Sequence, residues 1–166
     1  MIIRDISRPD GENIWKEPIS GREIWHISSD PKNDEKILLV GGDQTARIFN
    51  LKERREEKML SDHKDTLIRG RFNPNNPDQI LTVGERGAVH IHSLSTNNPF
   101  VIDLINNDIQ IKDAFFDQLN SGIIITLGSD GIIRSFSMST QSLLKRANNS
   151  ISRNFTPEKK LWHKVK

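Results

Sequence analysis

Apolar and polar positions follow one another along this chain in short runs, and no stretch of eleven or more residues keeps a helical period. Residues 81–94 read LTVGERGAVHIHSL: an apolar run, a Gly-centred turn, then a run in which apolar and polar side chains alternate. Period-two alternation bounded by turn residues predicts a pair of strands joined by a tight turn. The pattern recurs upstream at 38–51 as LLVGGDQTARIFNL and downstream at 125–138 as ITLGSDGIIRSFSM. With the turns aligned, Asp43, Arg86 and Asp130 share one position, Arg47, His90 and Arg134 a second, and Phe49, His92 and Phe136 a third. Each step is 43 or 44 residues.

That spacing divides the chain into repeats of four strands, a to d. The first predicts strand a at EIWHIS (23–28), b at KILLVGG (36–42), c at TARIFNL (45–51) and d in KERREEKML (52–60). The second predicts TLIRGRF (66–72), ILTVG (80–84), AVHIHSL (88–94) and FVIDLI (100–105). The third predicts IQIKDAFF (109–116), GIIITLG (122–128), IIRSFSM (132–138) and a short LLKR (143–146). The breaks, such as NPNNPDQ and STNNP, are rich in Asn, Pro, Ser and Asp, which favour turns. Ahead of these, MIIRDIS lines up with a strand c and ENIWKEPIS with a strand d, so the chain starts with half a unit. The expected organisation is a partial unit at 1–21, repeats at 22–62, 63–106 and 107–146, and a tail at 147–166.

Four short strands in a period of about 40–45 residues are the pattern of a propeller blade. The repeats resemble WD repeats. That family has a Gly-His pair before strand a, an Asp-Gly turn between b and c, and Trp-Asp closing c. Here the first position reads Gly21-Arg22, Asp62-His63 and Asn106-Asn107, the second Asp43-Gln44, Arg86-Gly87 and Asp130-Gly131, and the third Phe49-Asn50, His92-Ser93 and Phe136-Ser137. The family often braces a blade by hydrogen bonds among the His, a strand-b Ser or Thr, the turn Asp and the Trp. The strand-b positions are Leu39, Thr82 and Thr126. No repeat carries the whole set, because Phe49 and Phe136 lack an indole donor, and the second repeat keeps His63 and Thr82. The resemblance implies an all-β, WD-repeat-like β-propeller of four-stranded antiparallel blades over residues 1–146. Such a propeller is either open or closed as four blades, with MIIRDIS completing the last.

Composition narrows the function more than the fold. The chain has 166 residues and no cysteine, which excludes disulfides and Cys-based metal sites or nucleophiles. The longest apolar runs are strand-sized, well short of the ~18 residues of a spanning helix, and the first residues lack the pattern of a signal peptide. Cytoplasmic or nuclear residence without membrane insertion is therefore expected. The net charge of +2 is uneven: residues 143–166 hold seven Lys or Arg against the single acid Glu158. The basic tail includes Lys159, Lys160 and Lys164 around Trp162. Basic residues with a Trp suit either docking on an acidic protein surface or contact with RNA phosphates and a base.

Candidate chemistry is sparse. His90 and His92 lie two apart on one strand face and, with His63, raise the question of a metal site. The repeat offers a plainer account, since His90 takes the position of Arg47 and Arg134 and His92 that of Phe49 and Phe136. No metal and no cofactor is expected on that account. Asp43, Glu85 and Asp130 recur at the turns and read as turn and brace residues rather than catalytic acids. VGGDQT has adjacent glycines but no Lys and no following helix, so it does not form a phosphate cradle. Neither an enzyme nor a small-molecule substrate is expected.

By the family's geometry, the d–a and b–c loops line one face of the disc. That face carries Arg22, Glu23, Gln44, Lys64, Asp65, Arg86 and Asn107 and is the expected protein-binding surface, with the tail as a second contact. Three and a half units leave blade faces uncovered, so other protein subunits or a second copy are the expected partners, with RNA as the alternative through the tail.

Overall fold

The computed structural model describes residues 2–4, 13–16, 23–96, 100–102, 109–120 and 122–138. The expected last strand at 143–146 and the tail lie outside these residues. The described chain is all β, in four antiparallel sheets, none of them closed. β1 (Ile2–Arg4) and β2 (Asn13–Lys16) pair with each other alone. The first four-stranded sheet runs in order β3 (Ile24–Asp30), β4 (Asn33–Gly41), β5 (Ala46–Asn50) and β6 (Arg55–Leu60). The middle sheet runs β7 (Leu67–Phe72), β8 (Gln79–Gly84), β9 (Val89–Ser93) and β10 (Phe100–Ile102). The third has β11 (Ile111–Phe116), β12 (Ile123–Gly128) and β13 (Ile133–Ser137). Among the described residues β1 pairs with β2 and with no strand of these three sheets.

Each sheet is a meander of consecutive hairpins, and the tight turns explain why. Gly87 and Gly131 sit at φ +94° and +76° between β8 and β9 and between β12 and β13. Glycine takes this left-handed conformation without a Cβ penalty. The same turn position in the first sheet holds Gln44 at φ 65°, a side-chain-bearing residue in a strained region.

The middle sheet is sandwiched. One of its faces meets the first sheet through Leu67, Phe72 and Ile80, against Leu38, Val40, Ala46 and Ile48. The opposite face meets the third sheet through Leu81, Val83, Val89 and Ile91, against Ile111, Ala114, Phe116 and Ile124. The period-two pattern puts successive side chains of β8 into different cores.

Contacts between sheets keep step with the repeat. Ser28 Oγ donates to the Gly70 carbonyl, 42 residues on. Both carboxylate oxygens of Asp113 accept from Arg71 Nη2, again 42 residues apart. Asn75 Nδ2 donates to the Gln118 carbonyl, 43 residues apart. Gly70 is required where two sheets meet: a Cβ there would press on the Val40 side chain.

Candidate functional site

The loops between strands d and a, and the turns between b and c, are tied together at one end of each sheet. Gly42 N–H donates to the Glu23 carbonyl, Glu85 N–H to the Thr66 carbonyl and Ser129 N–H to the Gln110 carbonyl, at 2.8–2.9 Å. Among the expected binding residues, Glu23, Gln44, Lys64 and Arg86 are exposed there and Asp65 is half-buried. Asp65 holds the turn in place, because its Oδ2 accepts the Arg86 N–H at 2.8 Å, and a Cβ on Gly84 would fall on its carboxylate. Arg22, Asn107, Lys159, Lys160, Trp162 and Lys164 lie outside the described residues.

The turn acids of the outer sheets act as the repeat suggested. Asp43 accepts from the Thr45 N–H and hydroxyl and pairs with Arg47 Nη2 at 3.1 Å, while Arg47 Nη1 bonds Glu56 at 3.0 Å. Asp130 accepts from Ile132 N–H and pairs with Arg134. That pairing, chiefly the Arg134 hydrogen bond, holds the Asp130 carboxyl down at about 2.

The middle sheet departs from this scheme. Its turn residue is Arg86, so no acid awaits the side chain four residues on, and that side chain is His90 rather than Arg. His90 turns inward and stacks on His63, ring centroids 3.7 Å apart and planes 22° from parallel. Thr82 is fully buried and bridges two imidazoles: its Oγ1 is 2.6 Å from His63 Nε2 and 2.8 Å from His92 Nε2. The hydroxyl has one proton to give, so one ring donates to it and the other accepts. His92 therefore stands in for the missing indole, and the brace that no repeat carries in full by residue type is made here by three members. Asp62 closes the group: Oδ2 lies 3.1 Å from His90 Nδ1 and Oδ1 lies 3.6 Å from His92 Nδ1.

Burial dominates the electrostatics. It pushes the His63 pKa down to about 3, with His90 and His92 adding to the effect and Asp62 opposing it. It pushes His92 down to about 4, against the opposing pull of Asp62. Both rings are neutral at pH 7. Two buried atoms, His63 Nδ1 and Asp62 Oδ1, have no hydrogen-bond partner.

By repeat position alone, the histidines of β9 stand in for Arg and Phe. The structure instead gathers His63, His90 and His92 so that one ligating atom of each lies within 4.8 Å of the others. Asp62 is a member that the sequence pattern does not single out; its signal is an acid next to His63 just ahead of strand a. A cleft of about 270 Å³ opens beside this group, bordered by Lys58, Leu60, Ser61, Asp62, His92 and Thr96.

Fold and site thus define an all-β chain of stacked meander sheets with a buried imidazole cluster between the first two. Compared with protein-family models the chain matches none, and a search of curated proteins finds no significant relative.

Proposed function

We propose that the chain is a non-catalytic interaction scaffold built from WD-repeat-like blades, working as a subunit of a larger multiprotein assembly. The observation that carries this reading is exposed apolar surface on the side of the third sheet away from the middle one, joined by a few half-exposed apolar side chains on the first sheet. On the first sheet, Ile27 and Met59 belong to one cross-strand row on the side away from β7 and are about half exposed, while Leu39 in that row and Phe49 on the same face are buried. Trp25 is exposed beside them. On the third sheet, Phe115, Leu127 and Ile133 lie opposite the buried Ala114, Phe116 and Ile124, and Ile133 is 70% exposed. Stacked sheet units bury such faces only against a further unit, and exposed apolar clusters mark interaction surfaces. The contacts that recur 42 and 43 residues apart support a repeat architecture that another chain's blade extends. Exposed Glu23, Gln44, Lys64 and Arg86 at one end of the sheets offer a polar surface on a rigid base.

The test is the native mass of the tagged chain taken from its own cells, with and without nuclease. The expected result is a particle larger than one chain that survives nuclease and is dissociated by Ile27→Lys or Ile133→Lys. Both positions are exposed, so neither change disturbs a core. A single-chain mass overturns the reading. A particle that collapses with nuclease replaces it with the RNA-associated one.

A further inference from the structure

The geometry points to a zinc-class divalent metal site formed by Asp62, His90 and His92 at the cleft between the first and middle sheets. The assignment starts from spacing. Tetrahedral ligands about 2.0–2.1 Å from an ion stand roughly 3.3 Å from one another. Asp62 offers one oxygen to each ring, Oδ2 at 3.1 Å from His90 Nδ1 and Oδ1 at 3.6 Å from His92 Nδ1, and both spacings are close to that value. The His90 and His92 rings are tilted by 50° with centroids 5.9 Å apart, so they are not stacked and are free to converge on one point. Two imidazoles and a carboxylate suit a borderline ion such as zinc.

His63 is excluded as a ligand by its stacking. Rings 3.7 Å apart and nearly parallel have in-plane lone pairs that run side by side and do not meet on one ion. Its place is behind the site. With an ion on His92 Nδ1, His92 Nε2–H donates to Thr82 Oγ1 and the Thr82 hydroxyl donates to His63 Nε2. His63 Nδ1 then carries a proton and faces the Asp65 carboxylate, 3.8 Å away. One chain of bonds thus fixes the His92 tautomer, as ligating histidines require. Asp62 Oδ1, buried and without a hydrogen-bond partner, is an acceptor for the ion. The His92 side chain is 2% exposed, that of His90 10% and that of Asp62 27%, so the two imidazoles are held within the fold and the carboxylate is the most accessible of the three. The cleft borders Asp62 and His92 and has room for a water molecule beside them. Among the described residues Lys58 is the one Lys or Arg on its wall, and its ammonium is held by the Leu94 carbonyl.

The test is titration of the full, metal-free chain with Zn²⁺, and with Co²⁺ followed by its visible absorption. One ion per chain is expected. Asp62→Asn and His90→Gln should each weaken binding more than about 100-fold, and His63→Gln by about 10-fold, since it acts on the ion only through Thr82 and His92. Absence of saturable binding overturns the site. So does binding that Asp62→Asn leaves unchanged, or that His63→Gln weakens as much as His90→Gln. Zinc-edge X-ray absorption on the unmutated chain needs no variant to fold: two imidazoles with oxygen neighbours support the assignment, and one or three imidazoles overturn it.

Discussion

The middle sheet and its two neighbours brace the same repeat position by opposite means. In the outer sheets an arginine reaches four residues back to the turn acid, Arg47 to a nearly buried Asp43 and Arg134 to a more exposed Asp130. In the middle sheet the turn acid is replaced by Arg86 and the arginine by His90. Two substitutions in one hairpin turn an ion pair into a stack of neutral rings around a buried threonine. Position in a repeat conveys the backbone and the face that a side chain takes, but the residues around it decide what it bonds there.

The two kinds of brace should part most widely in acid. His63 and His92 have folded pKa values of about 3 and about 4, below the unfolded value near 6.5. The unfolded chain therefore takes up protons first. Their contribution is fully present above about pH 6.5 and is lost as pH falls towards 4 and then 3, by roughly 1.4 kcal/mol per pH unit for each ring. Urea midpoints measured across this window should fall steeply in the native chain. His92→Phe, which installs the residue found at the equivalent place in both neighbours, should flatten that fall. An unchanged slope would mean that His92 is already charged in the folded state.

Thr82 and Thr126 sharpen the comparison at one repeat position. Thr82→Val leaves two buried imidazole nitrogens without a partner and should cost about 1–3 kcal/mol in urea denaturation. Thr126 makes one long bond, 3.5 Å to the Arg134 carbonyl, so Thr126→Val should cost well under ~1 kcal/mol. Equal costs would show that the histidine bridge adds nothing.

The turns give a smaller effect. Gln44→Gly should stabilise the chain by up to about 1 kcal/mol, because it relieves a left-handed backbone at φ 65°. Among the glycines already there, Gly87→Ala should be the more damaging, since its Cβ would meet Ile111 N at 2.7 Å, whereas one at Gly131 meets nothing. Smallest of all is Asp130→Asn: its ion pair is exposed, and the thermal midpoint at neutral pH should stay within experimental scatter.

Much of the fold was legible because its signals are local. The expected strand at 66–72 is found as Leu67–Phe72 and that at 132–138 as Ile133–Ser137. Alternation and turn glycines specify such boundaries without reference to the rest of the molecule. The first sheet departs where local pattern is weak. β4 begins at Asn33 rather than 36, in a polar stretch, and β6 begins at Arg55 because residues 51–54 turn, with Arg54 at φ 54°. The histidine cluster was only half legible. His63, His90 and His92 stood out as residues, but their convergence depends on how strand b, strand c and the loop before Leu67 meet, which no single hairpin encodes. The Arg71–Asp113 pair joins different sheets and shows in the sequence only as a spacing close to the repeat.

The main contacts between the described sheets run from the first to the middle and from the middle to the third, as in a short one-dimensional array whose cooperativity passes through nearest neighbours. Among the described residues the first and third sheets share no buried cluster, and each has one with the middle sheet. A fault in an outer sheet frays one end, whereas a fault in the middle sheet divides the array in two. His63 and His92 both belong to the brace of the middle sheet, so their protonation should weaken this molecule at its centre and uncouple the unfolding of the two outer sheets.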